Sequence, residues 1–391
     1  MEAAAPVAAA EVFAAALAES LGAEDVSFLI ADFSGRSLVR LSHVGRGKAD
    51  GALGRERTET VPLEGTAHGR ALADQNVAVV AENGGSRLFA PVSSRGEAVG
   101  ILELGLDHPP DEQTLAVVSD AAHALAYVVI ANRRFTDLFE WGQRSLPLSL
   151  EAEIQHRLLP GSYTCEAGQF TLAGWLEPAG DVGGDTFDFS LERDTLHLSM
   201  TDAMGHTLDA ALLATVLVGA LRNARRRGVG LGEQAGLAHR ALAAYAASGG
   251  FVTGQLVRVD LPSCTARIVN AGHPPPIRIR AGKAEELSLH ADPPFPFAPR
   301  GEYDVQELAL EAGDRLLFVT DGILERNASD VDVLSLMTAC RHLHAREAVQ
   351  ELTRAVVSAC GGDLRDDATV LCFDWHGGPP RDRDSDSGAD R

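Results

Sequence analysis

The sequence predicts an α+β protein with two domains. Its 391 residues exceed what a single hydrophobic core usually organises, so a division into two domains is expected. In the second half of the chain, several strand-like segments follow one another across short turns without intervening helices, which favours antiparallel sheets. Hydrophobic residues make up 45% of the chain and charged residues 23%, a balance typical of globular proteins.

The first domain, residues 1–131, is predicted to be a compact α+β unit. It begins with a helix in which Phe13, Leu17 and Leu21 recur every four residues, and Gly22 is suited to end that helix. Strand-like segments follow, and these are VSFLIADF, SLVRLSHV, AVVAENG, RLFAPVSS and GEAVGILELGL. The first two are joined by a short turn, and the last two form a hairpin through SSRGE.

The rest of this domain consists of a loop and a long helix. The glycine-rich residues 45–65 are predicted to form the loop, and a helix follows Pro109 and Pro110. The stretch RLFAPVSSRGEAVGILEL and the flanking helices resemble a GAF domain. GAF domains are small-molecule and light-sensing modules of signalling proteins, so this resemblance implies an α/β sensor fold; a small-molecule ligand is one interpretation, and the resemblance itself identifies no ligand. No cysteine occurs in residues 1–131, which argues against a covalently held bilin, and a packing or dimerisation module without a ligand is the alternative.

A connector helix is predicted over residues 132–160. Pro147 should interrupt it. Beyond the proline, Leu150, Ile154 and Leu158 keep a spacing of four residues, so one helical face is apolar. We expect that face to pack on the following domain or on a partner subunit, and a homodimer is predicted.

The second domain, residues 161–376, alternates strands with helices, and the polar tail 377–391 is predicted to be disordered. The predicted strands are FTLAGWLEP, LHLSMTDA, FVTGQLVRVDL, TARIVNAG, IRIRAG, DRLLFVTDG and ATVLCFDW. The predicted helices are TLDAALLATVLVGALRNARRR, EQAGLAHRALAAYAA and AREAVQELTRAVVSAC.

Four acidic stretches in this domain place carboxylates at strand ends or tight turns. They are VGGD with Asp185, MTDAMG with Asp202, LLFVTDG with Asp321, and LRDDATV with Asp366 and Asp367. Strand ends meet at the edge of a sheet, so these carboxylates can converge, although each alone is more typical of a turn or a cap. Converging carboxylates repel one another and resist ionisation unless a cation joins them.

Hard divalent cations suit such a set of oxygen ligands. Mg²⁺ and Mn²⁺ prefer carboxylate and water oxygens. Two such ions about 3.5–4 Å apart can activate a bridging water for in-line attack on phosphorus. The glycines beside the aspartates are expected to let the backbone approach the ions, and no protein nucleophile is needed.

The stretches EPAGDVGGDTFDF, TDAMGHTLDAALL, VNAGHPPPI, LEAGDRLLFVTDGILE and RDDATVLCF resemble the SpoIIE-like, RsbU-like branch of the PPM-type metal-dependent serine/threonine phosphatases. EIQHRLLP matches the short helix that precedes this domain in that family. The resemblance implies an α-β-β-α sandwich of two antiparallel sheets flanked by helices. It also implies hydrolysis of phosphoserine or phosphothreonine, usually on a STAS-domain anti-anti-sigma factor. By position, the implied metal ligands are Asp185, Asp202, Asp321, Asp366 and the carbonyl of Gly205.

Two residues depart from the family pattern GDVxGHG. Thr201 and Thr207 stand where that pattern has glycine, and Thr207 is suited to cap the following helix. These departures are the support for an alternative, a degenerate domain that captures a partner without hydrolysis. A hydrolase of another phosphate ester on the same fold is a further alternative.

Several further residues have two interpretations each. Asp188 can orient a metal-bound water or bond a backbone turn, and Asp367 and His206 are candidates for the same supporting role around the ligands. His206 and His273 can serve as general acids or stabilise their glycine-bounded turns, and Asn270 is expected to satisfy a turn. The run Arg225–Arg227 favours either an acidic partner or the carboxyl end of a helix dipole.

Composition excludes other classes of protein. The net charge of −21 argues against nucleic-acid or anionic membrane surfaces. The run ALAYVVIA is short of a membrane span, and no GxSxG or P-loop motif occurs. The cysteines show no CxxC pair, which favours a reducing cytoplasm without a disulfide framework; they are Cys165, Cys264, Cys340, Cys360 and Cys372.

Overall fold

The computed structural model describes residues 4–45, 59–82, 84–144, 148–178, 183–205, 207–245, 249–324, 331–361, 364 and 366–378. The chain forms two compact units, Met1–Pro147 and Leu148–Asp382. The division between them lies inside the segment predicted as a connector.

The N-terminal unit contains one six-stranded antiparallel sheet with the strand order β3-β2-β1-β6-β5-β4. The strands are β1 (Asp25–Ala31), β2 (Ser37–Gly45), β3 (Thr60–Pro62), β4 (Ala78–Glu82), β5 (Gly85–Ser94) and β6 (Glu97–Leu106). The helices are α1 (Ala9–Leu21), α2 (Ala67–Asp74), α3 (Glu112–Asn132) and α4 (Leu138–Gly142). One face of the sheet packs with α1, α3 and α4, and the other packs with α2.

Most predicted elements of this unit are confirmed. Helix α1 ends at Gly22, which adopts a left-handed φ of 62°, and Asp111 caps α3 through the backbone N–H of Thr114 at 2.8 Å. The loop prediction for 45–65 is wrong at β3, because pairing with β2 extends a segment too short to show alternation. Residues 46–58 of that loop lie outside the described part. Helix α2 was not predicted.

Helix α3 is long and apolar enough, by length and composition alone, to cross a membrane. Its best 18-residue window has a mean hydropathy of 1.7, so the apolar segment is longer than the run ALAYVVIA alone. Only 28% of that window is buried; the buried residues of the helix, which pack in the core of the N-terminal unit, are Val118, Ala122, Leu125, Ala126 and Val129.

The second unit contains two antiparallel sheets. One has the order β15-β12-β11-β10-β9, and the other has the order β14-β13-β16-β17-β8-β7. The strands are β7 (Thr164–Glu166), β8 (Phe170–Glu177), β9 (Asp185–Leu191), β10 (Thr195–Ala203), β11 (Val252–Asp260), β12 (Thr265–Ala271), β13 (Ile277–Arg280), β14 (Lys283–Glu286), β15 (Gln306–Leu308), β16 (Asp314–Val319) and β17 (Ala368–Trp375). The helices are α5 (Leu150–Leu158), α6 (Leu208–Arg226), α7 (Leu231–Tyr245), α8 (Asp321–Leu324), α9 (Val333–Ala339) and α10 (Ala345–Ala359).

These elements form four layers. The two sheets share an apolar core, to which Phe187 and Met200 contribute from one sheet and Phe318 and Phe373 from the other. Helices α6 and α7 cover the outer face of the five-stranded sheet, and α9 and α10 cover the outer face of the six-stranded sheet. The predicted α+β fold and the sandwich of two antiparallel sheets are therefore confirmed. The short strands β7, β14 and β15 were not predicted.

The connector residues form two separate helices, α4 and α5. Phe139 of α4 is fully buried in the N-terminal unit. In α5 the buried face differs from the predicted stripe, since Leu150 is 62% exposed while Ala152 and Gln155 are buried. The polar side chain of Gln155 therefore occupies a core position of this helix. Of the tail predicted to be disordered, residues 379–391 lie outside the described part.

Candidate metal centre

Strand pairing brings the first two acidic stretches together. In the antiparallel ladder of β9 and β10, Asp185 lies directly opposite Asp202. Phe187 anchors β9 in the core, where its ring fits against Gly174 of the facing sheet; a Cβ on Gly174 would lie 2.4 Å from that ring. The alternation of VGGDTFDF thus directs Phe187 into the sandwich and sets Asp185 at the end of the strand.

The facing sheet holds the Asp185 carboxylate. Its Oδ2 accepts hydrogen bonds from the hydroxyl of Thr320 at 2.7 Å and from the hydroxyl of Thr369 at 2.6 Å. Thr320 follows β16 and Thr369 lies on β17, so this carboxylate links the two sheets. Neither threonine was predicted as a site residue, although each lies within three residues of a predicted ligand, in VTDG and in DDAT.

The last two acidic stretches meet at Gly322. A Cβ on this glycine would lie 2.0 Å from the carbonyl oxygen of Asp367 and 3.3 Å from that of Asp366. Only a residue without a side chain permits this approach. Asp321 begins α8 and does not end a strand, whereas Asp366 lies just before β17. The backbone N–H of Asp367 donates to the Asp366 carboxylate at 2.9 Å.

Gly184 brings the start of β9 close to the loop after β10. A Cβ on Gly184 would lie 2.7 Å from the Ala203 carbonyl oxygen and 3.4 Å from that of Gly205. Gly205 itself adopts a left-handed φ of 97°. Gly184 therefore lets the backbone approach two neighbouring carbonyl groups. This approach places the Gly205 carbonyl beside β9, the strand that carries Asp185.

Electrostatics indicate how closely the carboxylates are gathered. Burial, and then the charges of Asp202 and Asp367, raise the pKa of Asp185 well above its ordinary value. Burial, and then the charges of Asp321, Asp366 and Asp367, raise the pKa of Asp202 to about 7. Asp202 therefore lies within electrostatic reach of the other four carboxylates, and the repulsion on it favours a cation.

The donors suit a hard divalent cation in chemical type. They are carboxylates with a nearby backbone carbonyl, which are the oxygen ligands that Mg²⁺ and Mn²⁺ prefer. Among the described residues, however, no three His, Cys, Asp or Glu side chains lie close enough together to hold a metal ion as they stand. Within the part of the chain that the structure describes, the predicted ligands are therefore gathered in one region without forming an assembled ligand set.

The metal-free protein should lose stability as the pH rises from about 4 to about 7. The pKa of Asp202 rises from 3.8 in the unfolded chain to about 7 in the folded one, so over this interval the folded chain holds a proton that the unfolded chain releases. Stability falls wherever the folded state binds more protons, and above the folded pKa the loss stays constant. Denaturation midpoints in chelator, compared with those of Asp202→Asn, measure the effect, and equal pH profiles for the two proteins would contradict it.

The two departures from the family pattern are accommodated locally. Thr201 is 1% exposed, and its hydroxyl bonds that of Thr186 at 2.6 Å. It lies opposite Gly254 of β11, where a Cβ would come within 3.0 Å of the Thr201 methyl group, so Gly254 leaves room for it. Thr207 occupies the N-cap position of α6 with an extended backbone, as predicted, but its side chain makes no capping hydrogen bond.

Asp188 has neither of its two predicted roles. Its buried carboxylate pairs with Arg222 at 2.9 Å and with Arg225 at 2.9 Å, both on α6. These ion pairs attach α6 to β9, and Arg225 is therefore occupied inside the domain. Arg226 and Arg227 are exposed at the end of the helix, as the helix-dipole interpretation predicts.

The turn interpretation of Asn270 is confirmed, whereas the imidazole of His273 bonds Thr253 of β11 and not its own turn. The Asn270 side chain accepts from the backbone N–H of His273 at 2.9 Å and donates to its carbonyl at 3.0 Å. Burial lowers the pKa of His273 to about 3, so the imidazole is neutral near pH 7, and its Nδ1 lies 2.8 Å from the Thr253 hydroxyl. This histidine is therefore a structural residue. His206 lies outside the described residues.

Comparisons agree with this architecture. Residues 192–376, a little under half of the chain, match the family model described as Stage II sporulation protein E (SpoIIE). The matched residues contain Asp202, Asp321 and Asp366, whereas Asp185 precedes them. This second unit has the PPM phosphatase fold. Residues 192–376 of this unit therefore match the phosphatase domain of the SpoIIE family.

Three solved structures are similar to the chain. The RsbU and RsbW domains of Rv1364c from Mycobacterium tuberculosis are 25% identical with a TM-score of 0.48, covering 55% of this chain and 63% of that one. The PP2C domain and a regulatory fragment of SpoIIE from Bacillus subtilis are 14% identical to this chain, with a TM-score of 0.47. The match covers 79% of this chain and 86% of that one. The SiaA-PP2C domain of Pseudomonas aeruginosa is 19% identical to this chain, with a TM-score of 0.45. The match covers 52% of this chain and 84% of that one. The chain thus spans less than two thirds of the Rv1364c structure.

Proposed function

We propose that this chain hydrolyses phosphoserine or phosphothreonine on a regulatory protein in a reaction that depends on Mn²⁺ or Mg²⁺. The observation that carries the proposal is the pairing of Asp185 with Asp202 at a strand end, within electrostatic reach of Asp321, Asp366 and Asp367. Structural ion pairs match acids with bases, whereas this set gathers acids with acids, at a cost that a cation would remove.

The residues of the chain have distinct roles in this proposal. Asp185, Asp202, Asp321 and Asp366, with the Gly205 carbonyl, would hold two ions. Divalent ions bound there would supply Lewis-acid chemistry, by activating water and neutralising phosphoryl charge. The hydroxyls of Thr320 and Thr369 orient the Asp185 carboxylate through Oδ2, so its other oxygen keeps a defined direction.

The proposed substrate is a phosphorylated STAS-domain anti-anti-sigma factor. Support for this substrate comes from the motif resemblance and from the SpoIIE family match. The N-terminal unit is proposed to be a GAF-like sensor of a small molecule, acting in a cytoplasmic homodimer. Its six-stranded antiparallel sheet with helices on both faces is compatible with that assignment.

Hydrolysis of p-nitrophenyl phosphate by the purified full-length chain, with and without Mn²⁺, tests the proposed activity. We expect turnover only with the metal, followed by release of phosphate from a phosphorylated STAS protein. Turnover of the aryl ester with no action on any phosphoprotein would instead favour hydrolysis of another phosphate ester. Unchanged turnover in a strong chelator would contradict the metal assignment.

A second candidate is a binding module that captures a phosphoprotein without hydrolysis. One observation favours it: the described acidic side chains do not form an assembled ligand set. Mn²⁺ titration separates the two candidates, because a binding module needs no metal. Stable capture of a phosphorylated STAS protein, with neither Mn²⁺ binding nor phosphate release, would favour this candidate over the phosphatase.

A further inference from the structure

Helix α5 is attached to the sandwich at several points. Its first turn is capped by the Ser149 hydroxyl, which accepts from the backbone N–H of Ala152 at 3.1 Å. Its last turn is held by Arg222 of α6, which donates to the Leu158 carbonyl. In between, a Cβ on Gly183 would lie 3.0 Å from the Glu151 carbonyl oxygen, so the chain entering β9 passes directly over this helix.

Gln155 connects α5 to two of the acidic stretches. Its side chain is buried, with the residue 3% exposed. The amide Nε2 donates to the backbone carbonyl of Asp185 at 2.9 Å and to Oδ2 of Asp367. A primary amide has two N–H donors, so both bonds can form at once. The backbone N–H of Gly184 approaches the same Asp367 oxygen at 3.4 Å.

The choice of residue at this position argues for a role beyond packing. A core position of an amphipathic helix is usually apolar, and a buried amide destabilises the fold unless its hydrogen bonds are made. Here the amide takes that place while Leu150 of the same helix is left 62% exposed. Both N–H donors of the amide point at acidic stretches. The cost of burying the amide is therefore offset only when those stretches are in the observed arrangement.

These contacts continue to the proposed ligands themselves. Gln155 holds the Asp367 carboxylate, and the backbone N–H of Asp367 holds the Asp366 carboxylate at 2.9 Å. Gln155 also holds the backbone of Asp185, which lies opposite Asp202. A single side chain thus relates the start of β9 to the segment before β17, although these belong to different sheets.

We infer that Gln155 is a positioning residue of the metal centre: its amide keeps the Asp185 and Asp366–Asp367 segments in register, so that their carboxylates can bind metal together. This inference rests on the proposed function. It makes α5, the last helix before the sandwich, a part of the site.

The test is Mn²⁺ binding to Gln155→Met, measured by calorimetry on the full chain. Methionine keeps the length and apolar packing of the side chain and removes both donors. We expect the affinity for Mn²⁺ to fall by about 10–100-fold, the usual cost of losing a group that orients metal ligands. The matched control is Gln234→Met, in which a glutamine that is 5% exposed loses its hydrogen bond to the Leu221 carbonyl, away from the acidic stretches. The control should bind Mn²⁺ as the wild type does.

Thermal unfolding without metal separates positioning from general stabilisation. A merely structural glutamine would lower the melting temperature in both variants and leave Mn²⁺ affinity intact. If Gln155→Met does not fold, Gln155→Asn retains the amide but withdraws it by one methylene, and the same loss of affinity is expected. Wild-type affinity in a folded Gln155 variant overturns the inference alone. Absence of both Mn²⁺ binding and hydrolysis in the wild type overturns the proposed function and, with it, the inference.

Discussion

Asp202→Asn should abolish metal-dependent hydrolysis while leaving the metal-free fold at least as stable as the wild type. The substitution keeps the shape of the side chain and removes the charge that faces Asp185 across the ladder. Turnover should fall by at least about 100-fold, which corresponds to about 2.7 kcal/mol of lost transition-state stabilisation. The measurement is hydrolysis of p-nitrophenyl phosphate over a range of Mn²⁺ concentrations.

The stability of the same variant makes this prediction specific. Burial and neighbouring acids raise the pKa of Asp202 to about 7, so at pH 8 the ionised side chain destabilises the metal-free fold. The neutral amide removes that penalty, and we expect a higher denaturation midpoint in chelator at pH 8. Asp209→Asn, at an exposed acid in the first turn of α6, is the control and should retain turnover. Normal turnover by Asp202→Asn would show that Asp202 is not a ligand of the metal centre.

Gly322→Ala should disrupt the site by forcing two backbone segments apart. The added methyl carbon would lie 2.0 Å from the Asp367 carbonyl oxygen, far inside van der Waals contact, and that oxygen belongs to backbone with little freedom to move. Overpacking of this kind costs about 3 kcal/mol of stability. Because Asp321 precedes Gly322 directly, we expect Mn²⁺-dependent turnover to fall by at least about 100-fold, or about 2.7 kcal/mol of transition-state stabilisation.

The control for this variant is Gly219→Ala on the exposed side of α6. A Cβ there has no neighbour within 4 Å, and alanine in a helix interior stabilises by about 0.5–1 kcal/mol relative to glycine. Both variants replace a glycine with alanine. In urea unfolding, we expect the free energy of unfolding to fall in Gly322→Ala and to rise in Gly219→Ala. A Gly322→Ala protein with wild-type stability and turnover would show that Asp321 does not lie beside the Asp366–Asp367 segment.

The sequence predicted the class of fold well, because local patterns carry that information. Period-2 and period-3.6 hydrophobicity identified the long helices α1, α3, α6, α7 and α10 and most strands of the sandwich. The short elements β3, β7, β14 and β15 were missed, since segments of three or four residues are stabilised by their pairing partners and not by their own composition.

The predicted ligands were drawn from local motifs and a family resemblance, and the structure brings Asp185, Asp202, Asp321 and Asp366 into one region. Their partners were harder to predict. Asp188 was assigned to the metal centre or to a turn because it is close to Asp185 in sequence. In a strand, however, its role depends on which helix covers the sheet, and α6 presents Arg222 and Arg225 to it.

By itself the sequence determined the α+β class, the identity of the acidic residues and the glycines that flank them. Only the tertiary structure decided that Thr320 and Thr369 hold Asp185, that Gly254 makes room for Thr201, and that Gln155 of α5 reaches the Asp367 carboxylate. The reason is physical. Helical and strand patterns are local and repeat along the chain, whereas each of these contacts joins segments that only the packing of two sheets and a helix brings within hydrogen-bonding distance.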